Sequence, residues 1–121
     1  MIASFEHGYI FVKTNKVAGT SIEMALSRSC GPRDIITPIY PRDEVRRGPA
    51  MRYPQNFSTD PELEARYVDA ARRRDLAETW QLFRALEPKS VFYNHMTAAE
   101  IRDRIGREFW DSAFKFTIER N

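Results

Sequence analysis

The residues able to do chemistry in this chain gather in three places. The first is Lys16-Val17-Ala18-Gly19-Thr20-Ser21, where a lysine, a glycine and two hydroxyls stand together after an apolar run and before a helical pattern. A loop joining a buried strand to a helix N-terminus presents free backbone N–H groups and the positive end of the helix dipole. That makes an anion site before any side chain is added. Gly19 allows close backbone approach, Lys16 adds a mobile positive charge, and Thr20 and Ser21 add hydroxyl donors. The lysine precedes the glycine, and no Gly-x-x-x-x-Gly-Lys-Ser/Thr run is present, so the loop is not of the Walker A type. The second place is His95, an imidazole that titrates near neutral pH and suits a general base. The third is Arg120, whose guanidinium fork matches a phosphate.

The elements that must position these groups follow from periodicity. Tyr9-Ile10-Phe11-Val12 predicts a buried strand, Lys13 to Gly19 a polar loop, and Thr20-Ser21-Ile22-Glu23 a capping box that opens a helix. Ile22, Ala25 and Leu26 form its inward face, and Gly31-Pro32 closes it. Ile35-Ile36-Thr37-Pro38-Ile39 reads as a short edge strand, since proline cannot donate to a central ladder. Residues 41–60 read as a long surface loop. Asp60-Pro61-Glu62 starts a helix. Leu63, Tyr67, Ala70 and Ala71 continue it, and Leu76, Trp80, Phe83 and Leu86 follow after a phase slip at Arg72-Arg73-Arg74. Ser90-Val91-Phe92-Tyr93 predicts a second buried strand, with His95 just past its end. Thr97-Ala98-Ala99-Glu100 is another capping box, and Phe114-Lys115-Phe116-Thr117-Ile118 alternates as a third strand. Strands alternating with helices predict an α/β fold with a parallel sheet flanked by helices. Ligands bind such sheets at the carboxyl ends of the strands. The first loop, His95 and Arg120 each follow a predicted strand and so converge on one edge.

The bulk properties narrow the classes. The chain has 121 residues, enough for a single domain or part of one, and a net charge of only +2, which announces no nucleic-acid partner. A lone cysteine, Cys30, leaves no internal disulfide to form. No signal peptide or membrane span is visible, so a soluble, cytoplasmic protein is expected. No metal-ligand cluster is apparent.

The segment Phe11-Val12-Lys13-Thr14-Asn15-Lys16-Val17-Ala18-Gly19-Thr20-Ser21-Ile22 resembles the 5′-phosphosulfate loop of sulfotransferases that use 3′-phosphoadenosine 5′-phosphosulfate (PAPS). It is closest to the carbohydrate-type and bacterial families, whose loop reads Pro-Lys-Thr-Ala/Gly-Gly/Ser-Thr-Ser. Lys16 matches the family lysine, and Gly19, Thr20 and Ser21 match residues that hold the 5′ phosphate. Asn15 replaces the usual proline. Val17 replaces a hydroxyl residue but keeps its backbone N–H, and Ala18 completes the loop. Phe114 to Asn121 looks like the strand entering the family's 3′-phosphate motif, with Arg120 as its first arginine. Tyr93-Asn94-His95-Met96 resembles the segment that carries a histidine base.

The resemblance implies a P-loop nucleotide hydrolase-like sulfotransferase fold. Residues 1–121 would form a single, partial domain, truncated after the strand exit and inactive alone. The implied reaction is sulfuryl transfer from PAPS, without a metal, to a hydroxyl of a small molecule or carbohydrate. Lys16 and His95 would be catalytic, and Lys16, Val17, Ala18, Gly19, Thr20, Ser21 and Arg120 would bind the cofactor. Two other classes compete. One is a P-loop nucleotide-binding protein or small-molecule kinase. The other is a glycan- or RNA-binding module built on the arginines of residues 42–74, of which Arg72-Arg73-Arg74 most simply forms a solvated helix face.

Overall fold

The computed structural model describes residues 1–14, 19–48 and 50–118. Four short strands, β1 (Ile2–Ser4), β2 (Tyr9–Phe11), β3 (Ile35–Ile36) and β4 (Phe114–Phe116), form one sheet in the order β3-β1-β2-β4. The helices are α1 (Gly19–Ser27), α2 (Pro41–Glu44), α3 (Pro61–Arg72), α4 (Leu76–Leu86), α5 (Ala98–Ile105) and α6 (Arg107–Ser112). The protein is therefore mixed α/β with a small open sheet.

The sheet is not the all-parallel one expected. β1 pairs antiparallel with both β2 and β3, and only β2 and β4 run parallel. The sequence reading missed β1, which forms a hairpin with β2. Gly8, at φ 70°, supplies the left-handed residue of the turn, and its N–H bonds the Ser4 carbonyl at 2.9 Å. Ile35–Ile36 does form an edge strand, shorter than the 35–39 run.

Both faces of β1, β2 and β3 are covered, which explains the apolar runs at Tyr9–Phe11 and Ile35–Ile36, whereas the edge strand β4 leaves Phe114 exposed. Alternation sends Ala3, Ile10 and Ile35 into a core with Phe57, Tyr67, Leu82, Leu86 and Ile101. Ile2, Phe11 and Ile36 pack on the other face with Cys30, Ile22 and Leu26. The inward stripe of α1 is not quite the expected one: Gly19, Glu23 and Ser27 are buried, while Ala25 faces solvent.

The Asp60 N-cap with Pro61 behind it, and the Thr97–Glu100 capping box, are both present as expected. A break at Arg73–Asp75 separates α3 from α4, with Arg74 at φ 58°. Of the expected Leu76-Trp80-Phe83-Leu86 row, Leu76 is exposed, Trp80 and Phe83 are half-buried and Leu86 is buried, with Thr79 and Leu82 completing the buried stripe of α4.

Two expected elements are different objects. Residues 41–60 are not a surface loop. They hold α2 and bury Glu44, Arg47, Tyr53 and Phe57. Two carboxylates fasten the segment. Glu44 pairs with Arg47 and accepts from Ile39 N–H (3.0 Å) and the Tyr67 hydroxyl (3.2 Å). Glu64 of α3 accepts from the N–H groups of Asn56 and Ser58, each at 2.8 Å. Nor is Ser90–Tyr93 a strand of the sheet. The N–H groups of Val91 and Phe92 both bond the Phe57 carbonyl, at 2.8 and 3.0 Å, and an isolated bridge joins Ser90 to Ser58. β4 occupies the place beside β2, so the 90–93 run packs into the core without entering the ladder.

Candidate functional site

Of the loop residues singled out, Lys16, Val17 and Ala18 lie outside the described residues, as does Arg120. Gly19, Thr20 and Ser21 are the first three residues of α1. Their N–H groups are those a helix leaves without intrahelical partners. Thr20 and Ser21 are thus already helical, and the expected capping box is absent. Glu23 turns inward, fully buried, and does not reach back to the helix start.

Glu23 anchors a charged cluster beneath the loop. The Met1 ammonium stands 3.2 Å from its Oε1, and the Lys13 ammonium stands 3.1 Å from its Oε2. The Met1 ammonium also donates to Thr37 Oγ1 at 2.7 Å. Lys13, expected in a polar loop, is 4% exposed. Its Nζ donates to Thr20 Oγ1 at 3.2 Å. A hydroxyl that accepts from Lys13 keeps its own proton free to donate outward. Burial lowers the Met1 amine below its ordinary value, opposed by the neighbouring Glu23 carboxylate. Lys13, Met1 and Glu23 thus form one buried ionisable cluster at the end of β2.

His95 adjoins the same cluster. Burial lowers its pKa below the ordinary value. The Lys13 and Met1 ammoniums push the same way, partly offset by Glu23 and by the Lys13 backbone beside the ring. The imidazole is therefore neutral at pH 7 and able to accept a proton. Its backbone sits at φ 61°, in the left-handed region. Such conformations cost energy in residues other than glycine and persist where surrounding structure holds them. Among the described residues neither His95 Nδ1 nor Asn94 Oδ1 has a hydrogen-bond partner, although both atoms are buried.

His95 also lines a partly open cavity of about 420 Å³ with Pro38, Tyr40, Phe83, Leu86, Glu87, Ser90, Tyr93 and Asn94. The 38–40 wall is held from behind by Glu44 through Ile39 N–H. Burial pushes the Glu44 carboxyl up to about 7 against the pull of Arg47.

The parallel pair completes the arrangement. Val12 N–H bonds the Phe116 carbonyl at 2.9 Å, so β2 and β4 leave the sheet side by side. The ends of β2 and β4 thus lie at one edge; residues 15–18 and Arg120, which the expected convergence needs, lie outside the described residues. His95 reaches that edge by a different route, from an irregular segment packed against Lys13.

Four of the eight arginines of residues 42–74 have partners within the fold. Arg47 is buried against Glu44. Arg52 donates to the Cys30 carbonyl and to Gln55. Arg73 meets Asp69, Asp75 and Glu78 on the solvated face of the α3–α4 break, and Arg72 lies over the Tyr53 ring. Among the described residues no group of three His, Cys, Asp or Glu side chains is placed to hold a metal ion, and no helix is long and apolar enough to cross a membrane.

The chain matches no protein-family model, curated protein or solved structure. The site therefore rests on its own geometry. Lys13, Glu23, Met1 and Thr37 escaped the sequence reading. A signal for the first two was present. Lys13 lies two residues beyond Phe11, on the same face of the extended chain. Glu23 lies four residues after Gly19 and four before Ser27, on one helical stripe. Nothing local marked Met1 or Thr37, which meet Glu23 only through the β1–β3 pairing.

Proposed function

We propose that the chain forms the donor-binding part of a PAPS-dependent sulfotransferase. The observation that carries this reading is the meeting of the Gly19–Ser21 helix start with a neutral His95 across Lys13, at the edge where β2 and the parallel β4 both exit. The N–H groups of Gly19, Thr20 and Ser21 at the helix start suit the 5′ phosphosulfate, and Lys16, Val17 and Ala18, by the family resemblance, are proposed to bind it with them. Arg120 follows β4 and suits the 3′ phosphate.

In the proposed reaction an acceptor hydroxyl oxygen attacks sulfur in line. The bond between sulfur and the bridging phosphate oxygen breaks as the new O–S bond forms. The acceptor proton passes to His95, and the negative charge gathering on the departing bridging oxygen is met by Lys16. The products are a sulfate ester and 3′,5′-adenosine bisphosphate. Transfer of this kind asks the protein for positioning and charge stabilisation more than covalent chemistry. The acceptor is a small-molecule or carbohydrate hydroxyl, and the setting proposed is cytoplasmic.

The test is a titration of the ¹⁵N-labelled chain with 3′,5′-adenosine bisphosphate and with ATP plus magnesium. The bisphosphate is expected to shift the amides of Gly19, Thr20 and Ser21, and Lys16→Ala to abolish the shift. An equal or larger response to magnesium ATP would overturn the reading in favour of a nucleotide-binding protein or kinase.

A further inference from the structure

The two edges of the sheet are treated differently. Outside β3, Gln55 exchanges backbone hydrogen bonds with Ile36 at 3.0 and 3.1 Å, so that edge is covered. Outside β4, no strand stands among the described residues. The parallel pairing fixes which groups this open edge presents. Phe114 N–H bonds the Gly8 carbonyl, and the Phe116 carbonyl accepts from Val12 N–H, each at 2.9 Å. Phe114 and Phe116 therefore turn their backbone groups toward β2, and by alternation Lys115 and Thr117 turn theirs outward. A row of unpaired N–H and C=O groups is a template for another strand.

The side chains along this edge are apolar on one face. Phe114, Phe116 and Ile118 alternate onto it. Phe116 stands 5.8 Å from Tyr9 and 5.4 Å from Phe11 between ring centroids, and Phe114 stacks on Phe116 at 5.8 Å. Phe114 is 70% exposed and Ile118 is 38% exposed, so the row reaches solvent at both ends. A lysine on an edge strand commonly deters pairing. Lys115 is bent back instead. Its Nζ donates to the Trp110 and Ala113 carbonyls and lies over the Trp110 ring, on the other face of the sheet.

We infer that this edge binds a second copy of the chain, β4 against β4 in antiparallel sense, about a two-fold axis at Phe116. Hydrogen bonding and charge both select that register. Lys115 and the second copy's Thr117 exchange backbone bonds, using only outward-facing groups. Phe116 meets its own copy, and Phe114 meets Ile118. An axis at Lys115 would set two ammoniums opposite each other. It would also call on the Ala113 N–H, which already bonds the Phe109 carbonyl at 2.9 Å. The row is thus complementary to itself in shape and in charge, and an isologous contact of this kind closes at two copies. Three apolar side chains on a short strand bury less than the roughly 800 Å² per partner of a standard interface. The association is therefore weak and concentration-dependent. It does not rest on the sulfotransferase reading.

The experiment is sedimentation equilibrium of the whole, unaltered chain over a series reaching about 1 mM, the weak end of the affinity scale. A monomer–dimer equilibrium is expected, with a dissociation constant between about 10 μM and about 1 mM. Lys115→Pro removes an outward N–H and leaves the β2 ladder intact, so it should weaken the dimer at least about tenfold. The register is read by copper-phenanthroline oxidation of the double variant Phe114→Cys, Ile118→Cys. Both positions are exposed, so the fold should tolerate the changes. Within one chain they are about 13 Å apart on an extended strand, too far for a disulfide. A bond can form only between copies, and buried Cys30 is common to all variants. The double variant is expected to cross-link, and each single variant far less, because neither new thiol faces its own copy. A monomer throughout the series overturns the inference. So does a dimer that Lys115→Pro leaves intact, a double variant that does not cross-link, or single variants that cross-link as readily as the double.

Discussion

The side chain of Lys13 runs through the space beside Gly19. A Cβ added at residue 19 would stand 2.8 Å from Lys13 Cγ and 3.1 Å from its Cε. Glycine is required here by a packed lysine stem as well as by any anion the loop holds. Lys13 continues past Gly19 to Thr20 and Glu23, so its one side chain ties the end of β2 to the start of α1.

Gly19→Ala is therefore expected to push the Lys13 stem aside and loosen its bonds to Thr20 and Glu23. The cost should be about 1–3 kcal/mol of folding stability, as for other overpacked sites. Urea unfolding measures it. A stability within about 0.5 kcal/mol of the parent, the range of unremarkable surface changes, would show that Lys13 does not hold the helix start.

Lys13→Met keeps the volume of the stem and removes the charge. It leaves Glu23 Oε2 buried without its cation. A loss of about 3 kcal/mol is expected, typical of breaking a buried pair from one side. The double variant Lys13→Met, Glu23→Gln should recover part of that loss. If the double loses as much as the sum of the singles, the two side chains act independently and the pairing is wrong.

His95 should titrate below the ordinary histidine value of 6.5, because burial and two nearby ammoniums disfavour its charged form. The folded state then binds fewer protons than the unfolded chain between the folded pKa and 6.5. The contribution to stability is full above 6.5 and is lost as pH falls toward the folded value. The imidazole carbon-proton signals, followed by NMR against pH, measure the shift directly. A midpoint at or above 6.5 would contradict a buried neutral base.

Glu44 shifts the opposite way. Its carboxyl is pushed up to about 7 by burial, with Glu23 adding to the rise and Arg47 opposing it. Between 4.5 and about 7 the folded state binds more protons than the unfolded chain, so stability should fall as pH rises across that window. The His95 contribution has the reverse sign below 6.5, so the two are separated by variants. Glu44→Gln imitates the protonated carboxyl. It should flatten the slope in this window and cost least at its neutral end, where the parent has lost the contribution of the protonated carboxyl. An unchanged slope in Glu44→Gln would assign the pH dependence elsewhere.

Much of the local structure could be read from the residues. Asp60-Pro61 and Thr97-x-x-Glu100 marked helix starts because capping depends on neighbours within one turn. The order of strand, loop and helix around Gly19-Thr20-Ser21 was legible for the same reason: the three adjoin in the chain. Long-range pairing was not legible. Val91 and Phe92 are apolar enough for a central strand, yet nothing in their own sequence says that β4 stands beside β2 and that Phe57 takes their N–H groups. The β1 strand was hidden because a three-residue run carries almost no periodicity, and its partners, β2 and β3, are chosen by register across the hairpin and the sheet.

The sequence by itself determined the chemistry available at the first loop, the helix boundaries set by caps and prolines, and the apolar runs that must be buried. Only the tertiary structure decided which charges face each other. Lys13 and Glu23 are ten residues apart, and Met1 and Thr37 are farther still. Each would be an ordinary solvated group on its own. Folding strips their water, and groups without water must find partners or become neutral. That requirement draws Lys13 under Gly19, sets His95 beside it in neutral form, and gives the loop a base that its own six residues do not contain.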